Sequence, residues 1–74
     1  MDHYTGIKYR LTNCLIKAAK NKNGHLTIPE TSTLLLDFRK QPQNIEMKKE
    51  MFFSVAKMYF EMHNTGMTLK PQFK

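Results

Sequence analysis

Two interruptions decide what this chain can fold into. In Asn21-Lys22-Asn23-Gly24 an asparagine and a glycine supply the positive φ that ends a helix, and in Gln41-Pro42-Gln43-Asn44 the proline bars continuation of a preceding helix. Three stretches remain, each about the length of one helix, in a chain of 74 residues with a single cysteine. A chain this short is near the lower limit for a self-sufficient core. It has no disulfide to staple it, so regular helix packing or a partner has to supply the stability. The expectation is one domain over residues 1–74. It is all-α, a compact three-helix unit with helices near 4–21, 28–41 and 45–64 and a short extended tail over 67–74.

The first stretch repeats Tyr4, Ile7, Leu11, Cys14 and Ala18 at spacings of three and four, with Leu15 beside them, which makes one apolar helical stripe. Cys14 reads as a small core residue. The second opens on Thr27-Ile28-Pro29-Glu30, a capping box with proline in the first turn, and carries Leu34, Leu35, Leu36 and Phe38 as its buried face. The alternation in His25-Leu26-Thr27-Ile28 also permits a short extended piece there. The third stretch runs from Asn44 as cap to His63. It is polar only at Glu46, Glu50, Ser54, Lys57 and Glu61, the pattern of a central helix packed by the other two, with residues 45–63 as its span. Pro71 breaks the tail.

Chemistry-bearing groups are scattered. His3, His25 and His63 fall in three separate places, and no ligand set at metal spacing, nucleophile elbow or phosphate-cradling glycine loop occurs. Glu46 and Glu50 share a helix face, but a solvated pair near a helix start is the ordinary reading. The expectation is a binding protein and not an enzyme, with no catalytic residues, no metal, no cofactor and no small-molecule substrate. The chain begins without a basic, apolar leader and contains no run near the ~20 apolar residues of a membrane span. A cytoplasmic protein with no membrane association is expected.

Net charge is +6, with twelve basic side chains against six acids. That surplus favours anionic partners. No acid lies between Asp2 and Glu30, a stretch that holds Lys8, Arg10, Lys17, Lys20 and Lys22 together with Tyr9 and several asparagines. Lysine charges and an aromatic along one helix are what tracking a phosphate backbone requires. Lys8, Tyr9, Arg10, Lys17, Lys20 and Lys22 are therefore the candidate nucleic-acid-binding set. Only Arg10 and Arg39 have the forked donors that read guanine, so little sequence selectivity is expected.

The third stretch holds more apolar surface than a chain this size hides. Met47, Met51, Met58 and Met62 form a row, and Phe53 and Phe60 flank the polar face from the other side. These six are the candidate partner-binding set, suited to a larger protein or to a homodimer. In size and in lysine and asparagine usage the chain resembles short accessory proteins of phages and mobile elements, a likeness without a diagnostic motif. The expected function is an accessory nucleic-acid binder in a replication- or packaging-type assembly. The alternative is a protein–protein adaptor or inhibitor that docks on an acidic or apolar surface of a larger partner.

Overall fold

The computed structural model of the chain describes residues 3–74. The elements follow in the order α1 (His3–Asn21), β1 (His25–Thr27), α2 (Ile28–Arg39), α3 (Lys49–Tyr59), β2 (Phe60–His63) and β3 (Gly66–Leu69), with 3-10 turns at Pro42–Asn44 and Pro71–Phe73. The expected all-α fold is thereby corrected. Three helices form, but they share the core with a three-stranded antiparallel sheet of order β1-β3-β2, and the domain is a small mixed α/β unit.

α1 ends as its sequence predicts. Asn23 takes φ 58° and Gly24 φ 88°, and the Gly24 N–H donates to the Ala19 carbonyl at 2.7 Å. This is the long bond of a Schellman stop. α2 starts on the predicted capping box. The Thr27 hydroxyl accepts from the Glu30 N–H, and the Glu30 carboxylate accepts from the Thr27 N–H at 2.9 Å. The three residues just before it are β1, so the extended reading of His25–Thr27 is the observed one.

The third segment differs most. The helix begins at Lys49, four residues later than expected, because residues 42–47 serve another purpose. Asn44 is not a helix cap. It is fully buried, and its amide donates to the Phe38 carbonyl and to Gln41 Oε1, both at 3.3 Å. The helix also stops four residues early. Phe60 turns to extended backbone, and the alternation Phe60-Glu61-Met62-His63 pairs with Gly66-Met67-Thr68-Leu69 across the turn Asn64-Thr65. The expected C-terminal tail thus supplies the central strand. Its last turn is docked as well, with the Phe73 ring edge-on to Tyr59 at 4.8 Å.

Alternation sorts the sheet into two faces. Leu26, Met67, Leu69 and Phe60 point inward, onto Ile7, Leu11, Leu15 and Ala19 of α1 and Phe52, Val55 and Ala56 of α3. His25, Thr68 and Glu61 form a row on the outer face, where His25 Nδ1 and Thr68 Oγ1 are 3.0 Å apart. Gly66 sits where the three strands converge at the hairpin. At φ 150°, a Cβ there would collide with the Leu26 carbonyl oxygen and the Thr27 Cα. No side chain fits without parting β1 from β3.

Among the described residues no helix is long and apolar enough to cross a membrane.

Two stability outcomes follow from this packing. Phe52→Ala empties a fully buried ring site and should cost about 3–5 kcal/mol, whereas Phe53→Ala, at a half-buried position, should cost much less. Urea titrations followed by circular dichroism read both, and the reverse ranking would contradict the observed helical phase. Gly66→Ala should leave the sheet unformed, read as loss of amide-exchange protection in residues 25–27 and 66–69. Retained protection would show that β1 and β3 can move apart.

Candidate nucleic-acid interface

α1 carries its buried residues at Ile7, Leu11, Leu15 and Ala19, which fixes the outward direction by the ~100° step of an α-helix. Tyr9, Asn13, Lys17 and Lys20 then fall within an arc of about 80° on the opposite side. All four are exposed. They make one file along the helix, with no acid on α1 among the described residues. Tyr9 is 68 % exposed and is not part of the core cluster.

The other three members of the sequence-derived set lie elsewhere. Lys8 is exposed but on the flank of α1, about 100° away from Tyr9. Lys22 sits in the turn after α1 with its ammonium 3.5 Å from a Glu30 carboxylate oxygen. Arg10 has turned to the protein. Its Nε donates to Asn44 Oδ1 at 2.8 Å, and its guanidinium also donates to the Gln43 carbonyl at 3.0 Å. It fastens the α2–α3 connection to α1 and completes the hydrogen bonding of the buried Asn44 amide. With His3 3.3 Å from Glu46, this connection is held to α1 at two points.

A basic residue that the sequence does not associate with α1 joins the file at its far end. Lys20, Asn23, Gly24, Leu69 and Lys74 line one surface depression. The Lys74 Cε lies 3.4 Å from where a Gly24 Cβ would stand, an ordinary van der Waals separation, so the lysine stem passes close over the glycine. Only the strand pairing of β3 with β1 brings residue 74 to this place, and no local pattern announces it.

The acids among the described residues are on other elements. Glu30 and Asp37 are on α2, Glu46 is in the connection, Glu50 is on α3 and Glu61 on β2. Glu30 is held below the ordinary glutamate range by the Thr27 backbone and hydroxyl bonds and then by Lys22. Asp37 pairs with Lys40 at 3.4 Å. Burial, and secondarily the Asp37 charge, pushes the Cys14 thiol up, so it stays protonated and is a poor nucleophile. No three His, Cys, Asp or Glu side chains among the described residues gather as a metal site.

The candidate partner-binding residues also divide. Met47 and Phe60 are each only 1 % exposed and belong to the core, a correction to their expected place on the surface. Met51 and Phe53 are half-buried against that core, and Met58 and Met62 are exposed. The helical row that linked these methionines ends at Tyr59. In its place Phe53 and Met62 line a groove with Ile28 and Met67, framed by the start of α2, by α3 and by the β2–β3 hairpin. Leu36, expected on the buried face of α2, is instead 61 % exposed and lines one depression with Ile45, 64 % exposed, an apolar patch that sequence reasoning missed. Three successive leucines span about 200° of a helix and cannot all face one core, a signal that was available for Leu36.

No family model, curated protein or solved structure matches this chain.

Arg10→Met should cost about 1.5–3 kcal/mol, because it removes charge-assisted hydrogen bonds and leaves the buried Asn44 oxygen unpaired. Lys17→Met, on the solvent file, should cost close to nothing. Thermal melts of the two variants test this, and equal melting temperatures would show that Arg10 is not a structural anchor.

Proposed function

We propose that this domain is a non-enzymatic accessory protein that binds nucleic acid through the outer face of α1 with little sequence selectivity. The supporting observation is the acid-free file of Tyr9, Asn13, Lys17 and Lys20, extended by Lys74 from the far end of the chain. Lysines act as mobile point charges on phosphate, and each contact releases a condensed counterion. With Arg10 turned inward to Asn44 and Gln43, the face lacks a forked donor for base edges, which favours contacts to the backbone.

The order α2, α3, hairpin is also that of a helix-turn-helix unit with a β-ribbon behind it, in which the second helix enters the major groove. The surface of α3 supports that arrangement poorly. Beside the exposed Lys49, Ser54 and Lys57 it presents Glu50, Phe53 and Met58, next to Glu61 on β2. The groove of Ile28, Phe53, Met62 and Met67 instead favours contact with a protein. In this reading α1 faces nucleic acid while the groove holds the domain in a larger assembly. The same groove favours a second reading, an adaptor whose lysine face meets an acidic protein surface.

Fluorescence anisotropy with labelled oligonucleotides across a salt series separates the two. Binding should weaken steeply with salt, and Lys17→Gln with Lys20→Gln should reduce the slope of log K against log[salt] by about 1.4 to 1.8 without changing the melting temperature. No binding by the native chain at low salt, or an unchanged slope in the double variant, would refute nucleic-acid binding by this face.

A further inference from the structure

Resting on that reading of α1, we infer that the ligand is single-stranded nucleic acid, with the exposed ring of Tyr9 as a stacking platform for a base and with Lys17, Lys20 and Lys74 following one phosphate chain. Three observations carry this.

The first is the state of the ring. Tyr9 is 68 % exposed, the most exposed of the large apolar side chains among the described residues, and lies outside the core cluster. An aromatic ring in water costs free energy that a stacked base recovers, and every base has a π-face to offer. In a duplex those faces are occupied by neighbouring pairs. An unpaired strand leaves them open.

The second is the geometry of the charges. A duplex groove presents two phosphate chains, one on each side of an inserted helix, and a helix that fits there carries basic residues on both flanks. Here the Arg10 guanidinium keeps its charge but is tied to Asn44 and Gln43, and Lys8 stands alone on the other flank. The exposed residues that line up in sequence form one file. From Tyr9 to Lys20 it runs about 16 Å at 1.5 Å per residue, and Asn23 and Lys74 prolong it past the end of the helix. Steps of about 6 Å between Tyr9, Asn13 and Lys17 exceed the ~3.4 Å rise of a stacked strand. They suit a backbone stretched beyond helical stacking.

The third is the neighbouring side chains. Ile16 lies one heptad after Tyr9, about 20° from it around the helix, and is half-buried against the core. About 10 Å further along the helix, it adds an apolar side chain to the same face. Asn13 stands between Tyr9 and Lys17 with an amide able to donate to a base or a phosphate.

The test uses the intact chain with three labelled probes of about 15 units: oligothymidylate, oligouridylate and a mixed-sequence duplex. At one salt concentration, at least one single strand should bind more tightly than the duplex, and which strand does so tells DNA from RNA. Tyr9→Ala should weaken that binding by roughly 5- to 100-fold, Tyr9→Phe should retain it, and all three proteins should melt together. Equal or tighter binding of the duplex, or full affinity in Tyr9→Ala, would overturn the inference. If the lysine variants still weakened binding in that case, phosphate recognition by α1 would stand without it. Absence of binding to all three probes would overturn both.

Discussion

Gly66–Leu69 hydrogen-bonds to a strand on each side, to β1 from the first half of the chain and to β2 from the second. Most of the tertiary structure is arranged around that double pairing. Met67 and Leu69 carry it into the core, where they meet α1 and α3, and the Leu69 N–H reaches back to the Gly24 carbonyl at 2.7 Å. At the other end the Thr65 carbonyl accepts from the Ile28 N–H at 3.1 Å, satisfying one of the donors that the start of α2 leaves open. The pairing is possible because residue 66 has no side chain.

A second constraint fixes what β3 does not reach. The nine residues between α2 and α3 form no long regular element, yet Asn44 among them is fully buried with its side-chain groups paired. A buried amide that is fully satisfied specifies one arrangement, since any shift leaves a polar group dry. Arg10 supplies one of those bonds and thereby leaves the solvent face of α1. The same residue that locks the connection ties one basic side chain away from the lysine file. Stability and the shape of the candidate ligand surface are coupled at this point.

Much of the helical framework was legible in the sequence because its signals are local. The Thr27–Glu30 box and the Asn23–Gly24 stop act within a few residues and are found where they were read. The α1 stripe holds at Ile7, Leu11 and Leu15, while Tyr4 is exposed, Cys14 and Ala18 are half-buried and Ala19 is buried instead. The strands were not, for a physical reason. Four-residue segments have no folding preference strong enough to resist their surroundings, and Met58 and Met62 fit a helical spacing as well as the alternation Phe60-Glu61-Met62-His63 fits a strand. Partners far away in sequence decided between the two. The candidate site divides in the same way. Tyr9, Lys17 and Lys20 share a face for reasons of helix period alone, whereas the loss of Arg10 to Asn44 and the arrival of Lys74 depend on contacts across the fold.

The middle position of β3 has a further consequence for the order of events when the chain is made. Synthesis proceeds from the N-terminus, so α1, β1, α2 and α3 all emerge before the strand that joins β1 to β2 exists. Until then β1 is three residues without a neighbour, and Leu26 and Phe60 have no sheet to close them in. The nascent domain is therefore a set of tethered helices with open apolar faces, the kind of species that aggregates or is shielded by chaperones. Its cooperative closure waits for the last strand to clear the ribosome.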